Sequence, residues 1–251
     1  DEILKIDVGI YNNILGKSYN EISSESRSMH KSQGFGSLKR RGSEKELFIL
    51  TQGDKYDDNL MDGVDVTWNR FGENNEIIEY INNLVNEYDP KKPYKTVNKL
   101  SILYEKVSKI NDEDWKKIKL NEIKNLIKAC LGLFFESLSD VSISSIGENI
   151  KVNFDAINRS PININLKQVS VFDEDFLIKK DLINNEFFRL EKTIKIPESE
   201  NFTEKYWLIN KPNFGNYDVN EQELIGNADN DFPVETNFVF TVNNIELSYT
   251  I

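Results

Sequence analysis

Near residue 140 the apolar residues of this chain change their spacing, and no other feature limits its fold as much. Before that point they recur with the period of a helix. Ile77, Ile81, Leu84, Val85 and Tyr88 form one stripe, closed by Asp89-Pro90. Val97, Leu100, Leu103, Tyr104 and Val107 form a second. A third begins at Asn111-Asp112-Glu113-Asp114, where a cap and acidic residues suit the positive end of a helix. It runs through Leu120, Ile123, Ile127, Cys130, Leu131, Phe134 and Leu138. After residue 140 the period is two: Ile150/Val152/Phe154, Ile162/Ile164/Leu166, then Phe188/Leu190/Ile194/Ile196 with Lys192 interrupting one face. Thr236/Phe238/Phe240/Val242 and Ile245/Leu247/Tyr249 follow, and Asn243-Asn244 between them suits a two-residue hairpin turn. The pattern predicts an α+β chain. A small helical bundle over 73–139 precedes an antiparallel immunoglobulin-like or fibronectin-like β-sandwich over 140–251, the latter expected to fold by itself.

The first 72 residues fit neither half. Ile3, Leu4, Ile6 and Val8 predict a short strand ending at Gly9. The stretch 18–33 predicts a helix with Ile22 and Met29 on one face, stopped by Gly34 and Gly36. One strand and one helix over 1–36 cannot bury their faces alone, so this piece reads as the tail of a larger domain. Residues 37–72 read as a long loop or linker, with one brief apolar run at Leu47–Leu50.

Composition removes several function classes. A formal net charge of −11 makes nucleic acid a poor partner, and Lys39-Arg40-Arg41 reads as a solvated loop. One cysteine, Cys130, precludes an internal disulfide framework and reads as a small buried thiol. One histidine, His30, precludes a histidine-pair zinc site. No apolar run approaches the ~20 residues of a membrane span. The first residues lack the basic-then-apolar pattern of a signal peptide, which fits a cytoplasmic parent or a chain that has lost its N-terminus.

The segment SRSMHKSQGFG carries the candidate site. Arg27, His30 and Gln33 share one helical face at spacing i, i+3, i+6, and could contact a polar ligand or steady a metal-bound water. The same residues would also suit a helix end that bonds to its own loop. Tyr206, Trp207, Phe214 and Tyr217 cluster in KYWLINKPNFGNY, as a stacking platform for sugar or as anchors of a loop over a core. Trp68 in DVTWNRF reads as a plug that fixes the long loop. Asp54, Asp57, Asp58, Asp62 and Asp65 crowd one loop, and Asp229, Asn230 and Asp231 another. Neither has the spacing that wraps calcium, so both read as solvated acidic loops.

SRSMHKSQGFG and GVDVTWNRF, with EIKNLIKACLGL and KYWLINKPNFGNYDVNEQELIGNADN, resemble segments of the PIG-L (LmbE-like) zinc de-N-acetylases, notably extended bacterial members with long C-terminal portions. The similarity runs over nearly the whole chain. In that family zinc is held by an N-terminal His-Pro-Asp-Asp motif and a later His-x-x-His, and the chain contains neither. The resemblance therefore implies a non-catalytic C-terminal portion of an N-acetyl-sugar deacetylase, inactive alone, with zinc only in the parent protein. Its partner would be the missing N-terminal catalytic domain, with glycan a further candidate. His30 matches the histidine of the family's H-x-S-Q segment, placing Arg27, His30 and Gln33 at the active-site margin and not among the zinc ligands. Export to the periplasm or outside the cell follows from the same resemblance, although the residues are equally compatible with the cytoplasm. The alternative is a carbohydrate- or protein-binding sandwich module. An enzyme working with carboxylates alone ranks last, because no acid pair stands out from the general acidity.

Overall fold

A computed structural model describes residues 3–53, 59–72, 75–230 and 232–251, and the chain divides into two compact units, 1–67 and 68–251. In the first unit, strand β1 (Ile3–Asp7) pairs antiparallel with β2 (Lys45–Ile49), Leu4 opposite Phe48, and helix α1 (Tyr19–Met29) lies between them in sequence. The apolar run at Leu47–Leu50 thus supplies most of a strand inside the expected loop. The chain leaves β1 at a close approach: a Cβ on Gly9 would stand 1.8 Å from the carbonyl oxygen of Gly42. Beside it, the Asp7 carboxylate accepts the amides of Gly9 and Glu44 at 2.9 and 3.0 Å.

Helix α1 opens on a capping box. The Glu21 amide donates to Ser18 Oγ at 3.2 Å and the Ser18 amide to the Glu21 carboxylate at 3.1 Å. The helix ends at Met29, four residues earlier than its sequence suggests, and a single 3₁₀ turn (Lys31–Gln33) follows. Its inward face is polar. Ser24 and Ser28 bond to the backbone of Leu38 and Ser37, Glu25 pairs with Lys17 and Lys39 at 2.5 and 2.6 Å, and Arg41 pairs with Glu21 at 2.8 Å. The Lys39-Arg40-Arg41 run is therefore a strap across the helix, with Arg40 held by Glu44.

Two lysines lower the Glu25 carboxyl from its ordinary 4.5 to about 2 through their hydrogen bonds and charges. Because the folded value is depressed, this stabilising contribution is complete above about pH 4.5 and is lost as pH falls toward 2. A carboxyl-carbon NMR titration should give Glu25 a midpoint near 2. A midpoint at the ordinary glutamate value would mean that the strap does not close in solution.

The second unit begins with a 3₁₀ turn, Trp68–Phe71, and three helices, α2 (Asn75–Asn86), α3 (Val97–Val107) and α4 (Glu113–Leu131). Asp112 caps α4, accepting the Trp115 amide at 2.9 Å. Arg70 lies over the rings of Phe71 and Trp115, tying the opening turn to α4, and Trp68 packs against the core. The expected extension of α4 through Phe134 and Leu138 does not form. Gly132 takes the left-handed conformation, φ 57°, and the amides of Gly132 and Leu133 close the last turn. Phe134–Ser139 is strand β3 instead.

Six more strands follow: β4 (Asn149–Ile157), β5 (Ile164–Val171), β6 (Glu174–Asp181), β7 (Phe187–Lys195), β8 (Thr236–Val242) and β9 (Ile245–Thr250). They make two antiparallel sheets, ordered β3-β4-β7 and β6-β5-β8-β9. The inward faces meet through aromatic rings: Phe135 lies 5.1 Å from Phe238 and 5.2 Å from Phe240, and Phe154 lies 5.9 Å from Phe176. Asn243 and Asn244 form the β8–β9 turn at φ 49° and 65°, as their side chains favour. Lys192, which interrupts an apolar face in the sequence, stacks its ammonium over Phe176. Ile77, Leu100, Ile123, Ile127 and Leu131 belong to the same buried cluster as the sheets, so the packing shows no division at 139/140.

Candidate functional site

The three residues of the candidate margin are joined through the backbone at the end of α1. The His30 amide donates to the Arg27 carbonyl at 3.2 Å, and the Gln33 amide to the His30 carbonyl at 3.0 Å. All three side chains are exposed and make no hydrogen bond among the described residues. His30, for which partial burial is expected of a structural helix end, is open to solvent. What the turn presents is three exposed polar side chains, with no carboxylate bonded to the imidazole among the described residues.

The aromatic cluster divides. Tyr206 is buried, its hydroxyl donating to the Asn227 carbonyl at 3.1 Å and its ring meeting Trp207 edge-on at 4.7 Å. Phe214 and Tyr217 are exposed, and no ring contact among the described residues joins them to the first pair. Tyr206 is further held from the acidic loop: its amide donates to Asn230 Oδ1 at 2.9 Å, and Lys205 pairs with Asp229. That pairing holds the Asp229 carboxyl below its usual range. In the other acidic loop Asp62 and Asp65 accept the amides of Asn59 and Thr67, both at 2.8 Å. Asp54, Asp57, Asp58 and Asp231 lie outside the described residues. Burial raises the Cys130 thiol. No group of three or more histidine, cysteine, aspartate or glutamate side chains able to hold a metal occurs among the described residues. No helix among them is long and apolar enough to cross a membrane.

No family model, curated protein or solved structure matches the chain. What it can do chemically therefore rests on its own residues. One set of them went unread in the sequence: Ser170, Asn237 and Thr250, small polar residues at outward positions of three strands, with Glu200 and Glu235 beside them. Scattered over some eighty residues, they share no motif, and only strand pairing brings them into one row.

Proposed function

We propose that this chain is the non-catalytic C-terminal portion of an extended PIG-L-type zinc de-N-acetylase. Residues 3–67 would supply the tail of the catalytic domain, and residues 68–251 a fibronectin-like sandwich with a small helical layer, in a structural or substrate-presenting role. One observation carries the reading, the inverted polarity of α1. A helix on the surface of a finished domain turns its apolar stripe inward. Here the inward positions are Ser24, Glu25 and Ser28, whereas Ile22 and Met29 face solvent, as do Ile3, Leu47 and Ile49 on the two strands. Leu4 is the buried aliphatic side chain of β1. A two-stranded ribbon with a helix is marginal without more partners, and the missing catalytic domain would provide them. SRSMHKSQGFG lies at the end of this same helix.

The sandwich reading rests on strand order. β6 pairs with β5 and not with β7, an order that would read as A-B-E and C′-C-F-G in the lettering of such sandwiches. That order favours a fibronectin-like arrangement over the constant-type immunoglobulin order, whose fourth strand joins the A-B-E sheet.

The donor set does not fit a zinc centre: one histidine and one cysteine stand far apart in sequence, and no three-ligand group exists among the described residues. The zinc chemistry is accordingly assigned to the preceding domain. The reading frame ahead of Asp1 tests this. An in-frame His-Pro-Asp-Asp motif followed by His-x-x-His is expected, and the chain alone, with zinc added, should release no acetate from N-acetylated sugars. A different domain upstream, or turnover by the chain alone, would overturn the proposal.

A further inference from the structure

We propose that the outer face of the four-stranded sheet binds an amino sugar, a pyranose ring carrying hydroxyls and a free ammonium group. The inference rests on the geometry of that face and not on the family reading. Val169, Val171, Thr236, Phe238 and Tyr249 are buried in the core, so the alternation of each strand sends Ser170, Asn237 and Thr250 to the opposite face. The register places these three in one row, Ser170 opposite Asn237 and Asn237 opposite Thr250. They form part of an open concavity of about 340 Å³, flanked by Glu200, Glu235 and Phe172. This is near the lower end of the roughly 300–1,000 Å³ typical of small-molecule sites.

The chemistry of the lining selects the ligand. Ser170 Oγ accepts from Gln168 Nε2 at 2.9 Å, so its own proton remains available. Asn237 Oδ1 accepts from Ser248 Oγ at 2.5 Å, which leaves its amide nitrogen as a donor. Among the described residues, the side chains of Thr250, Glu200 and Glu235 make no hydrogen bond or ion pair, and no lysine or arginine lines the concavity. Neighbouring strands stand ~4.8 Å apart, so a row of hydroxyl and amide groups across three of them can meet several hydroxyls of one pyranose ring. Two carboxylates without a cation of their own then call for a positive charge on the ligand. A bare metal ion is a poorer match, because two carboxylates fall short of its usual oxygen count. Phe172, half-buried beside the row, offers an apolar wall to the C–H face of a ring.

Amide chemical shifts of the full chain, titrated with glucosamine, glucose, N-acetylglucosamine and ethanolamine, test the assignment. Glucosamine should move Ser170, Asn237 and Thr250 saturably, with each of the other three at least about tenfold weaker, since each lacks either the ammonium or the ring. The double substitution Glu200→Gln, Glu235→Gln should weaken glucosamine about tenfold or more and leave glucose unchanged. Neither side chain is part of the core, so the thermal transition should be preserved. Equal binding of glucose and glucosamine, or of ethanolamine and glucosamine, would overturn the proposal. So would shifts that map to another surface, or no saturable shift with glucosamine.

Discussion

A fragment comprising residues 140–251 should show no cooperative thermal transition by circular dichroism, whereas residues 68–251 should unfold in one step. The shorter piece loses β3, and with it Phe135, whose ring lies 5.1–5.3 Å from Phe238, Phe240 and Tyr249. It also loses Ile123, Ile127 and Leu131 of α4, together with Val97, Leu100 and Val107 of α3, all members of the shared core. Each buried side chain of this size contributes about 1.5–3 kcal/mol. Their sum, about 10–21 kcal/mol, is at least comparable with the roughly 5–15 kcal/mol by which a domain is stable. The fragment would also expose the open edge of β9. In the chain, Lys124 donates to the Ser248 carbonyl on that edge at 2.8 Å, and the Tyr249 hydroxyl donates to the Lys124 carbonyl at 2.8 Å. A monomeric 140–251 fragment with a sharp transition would show that the sheets do not need the helices.

Arg189→Met should destabilise the second unit clearly more than Asp155→Asn does. Asp155 lies on the outward face of β4, yet its side chain is fully buried, under the guanidinium of Arg189. Arg189 Nε and Nη2 donate to its two oxygens at 2.7 and 2.6 Å, and the arginine is stacked on Phe187. The register also sets Glu136 opposite Asp155 on the other side. Removing the arginine leaves a buried carboxylate beside a second negative charge. Arg189 is itself half exposed, so water entering its place offsets part of the loss and keeps the cost below that of a fully enclosed pair. Asp155→Asn keeps a hydrogen-bonding group of the same shape and strands no buried charge. Urea midpoints of the two variants decide it, and an equal or smaller loss for Arg189→Met would refute the asymmetry.

The sheets were legible where one face is apolar and the other polar. Ile150, Val152 and Phe154, and again Phe238, Phe240 and Val242, fall on the core face as their alternation implies. β6 gives no such signal, because its sequence, EDFLIKKD, mixes charges with an edge strand's exposed positions. For β3 the sequence is ambiguous, because Leu131, Phe134 and Leu138 satisfy the helical period while Phe134 through Ser139 also suit a strand. Gly132 was the signal that separates the two. The one helical face expected of Arg27, His30 and Gln33 is interrupted, because α1 ends at Met29 and leaves His30 at its cap and Gln33 in the following 3₁₀ turn. The row Ser170–Asn237–Thr250 was not legible, since its members become neighbours through pairing across three strands.

The tie between α4 and β9 also sets the order in which the second unit can mature. Lys124 and Tyr249 stand 125 residues apart, so the first layer of the core is closed by the last strand. During synthesis α4 can pack on α3 early, whereas its tie to β9 waits until nearly the whole unit has emerged. Contacts this distant pay their loop entropy before any reward arrives, which slows folding toward the millisecond-to-second range of β-rich domains. The helices form early and locally, while the surface they offer is completed late. A ribosome pausing before residue 236 would hold an open half-core, the state in which this chain is most exposed to proteases and to association with its own copies.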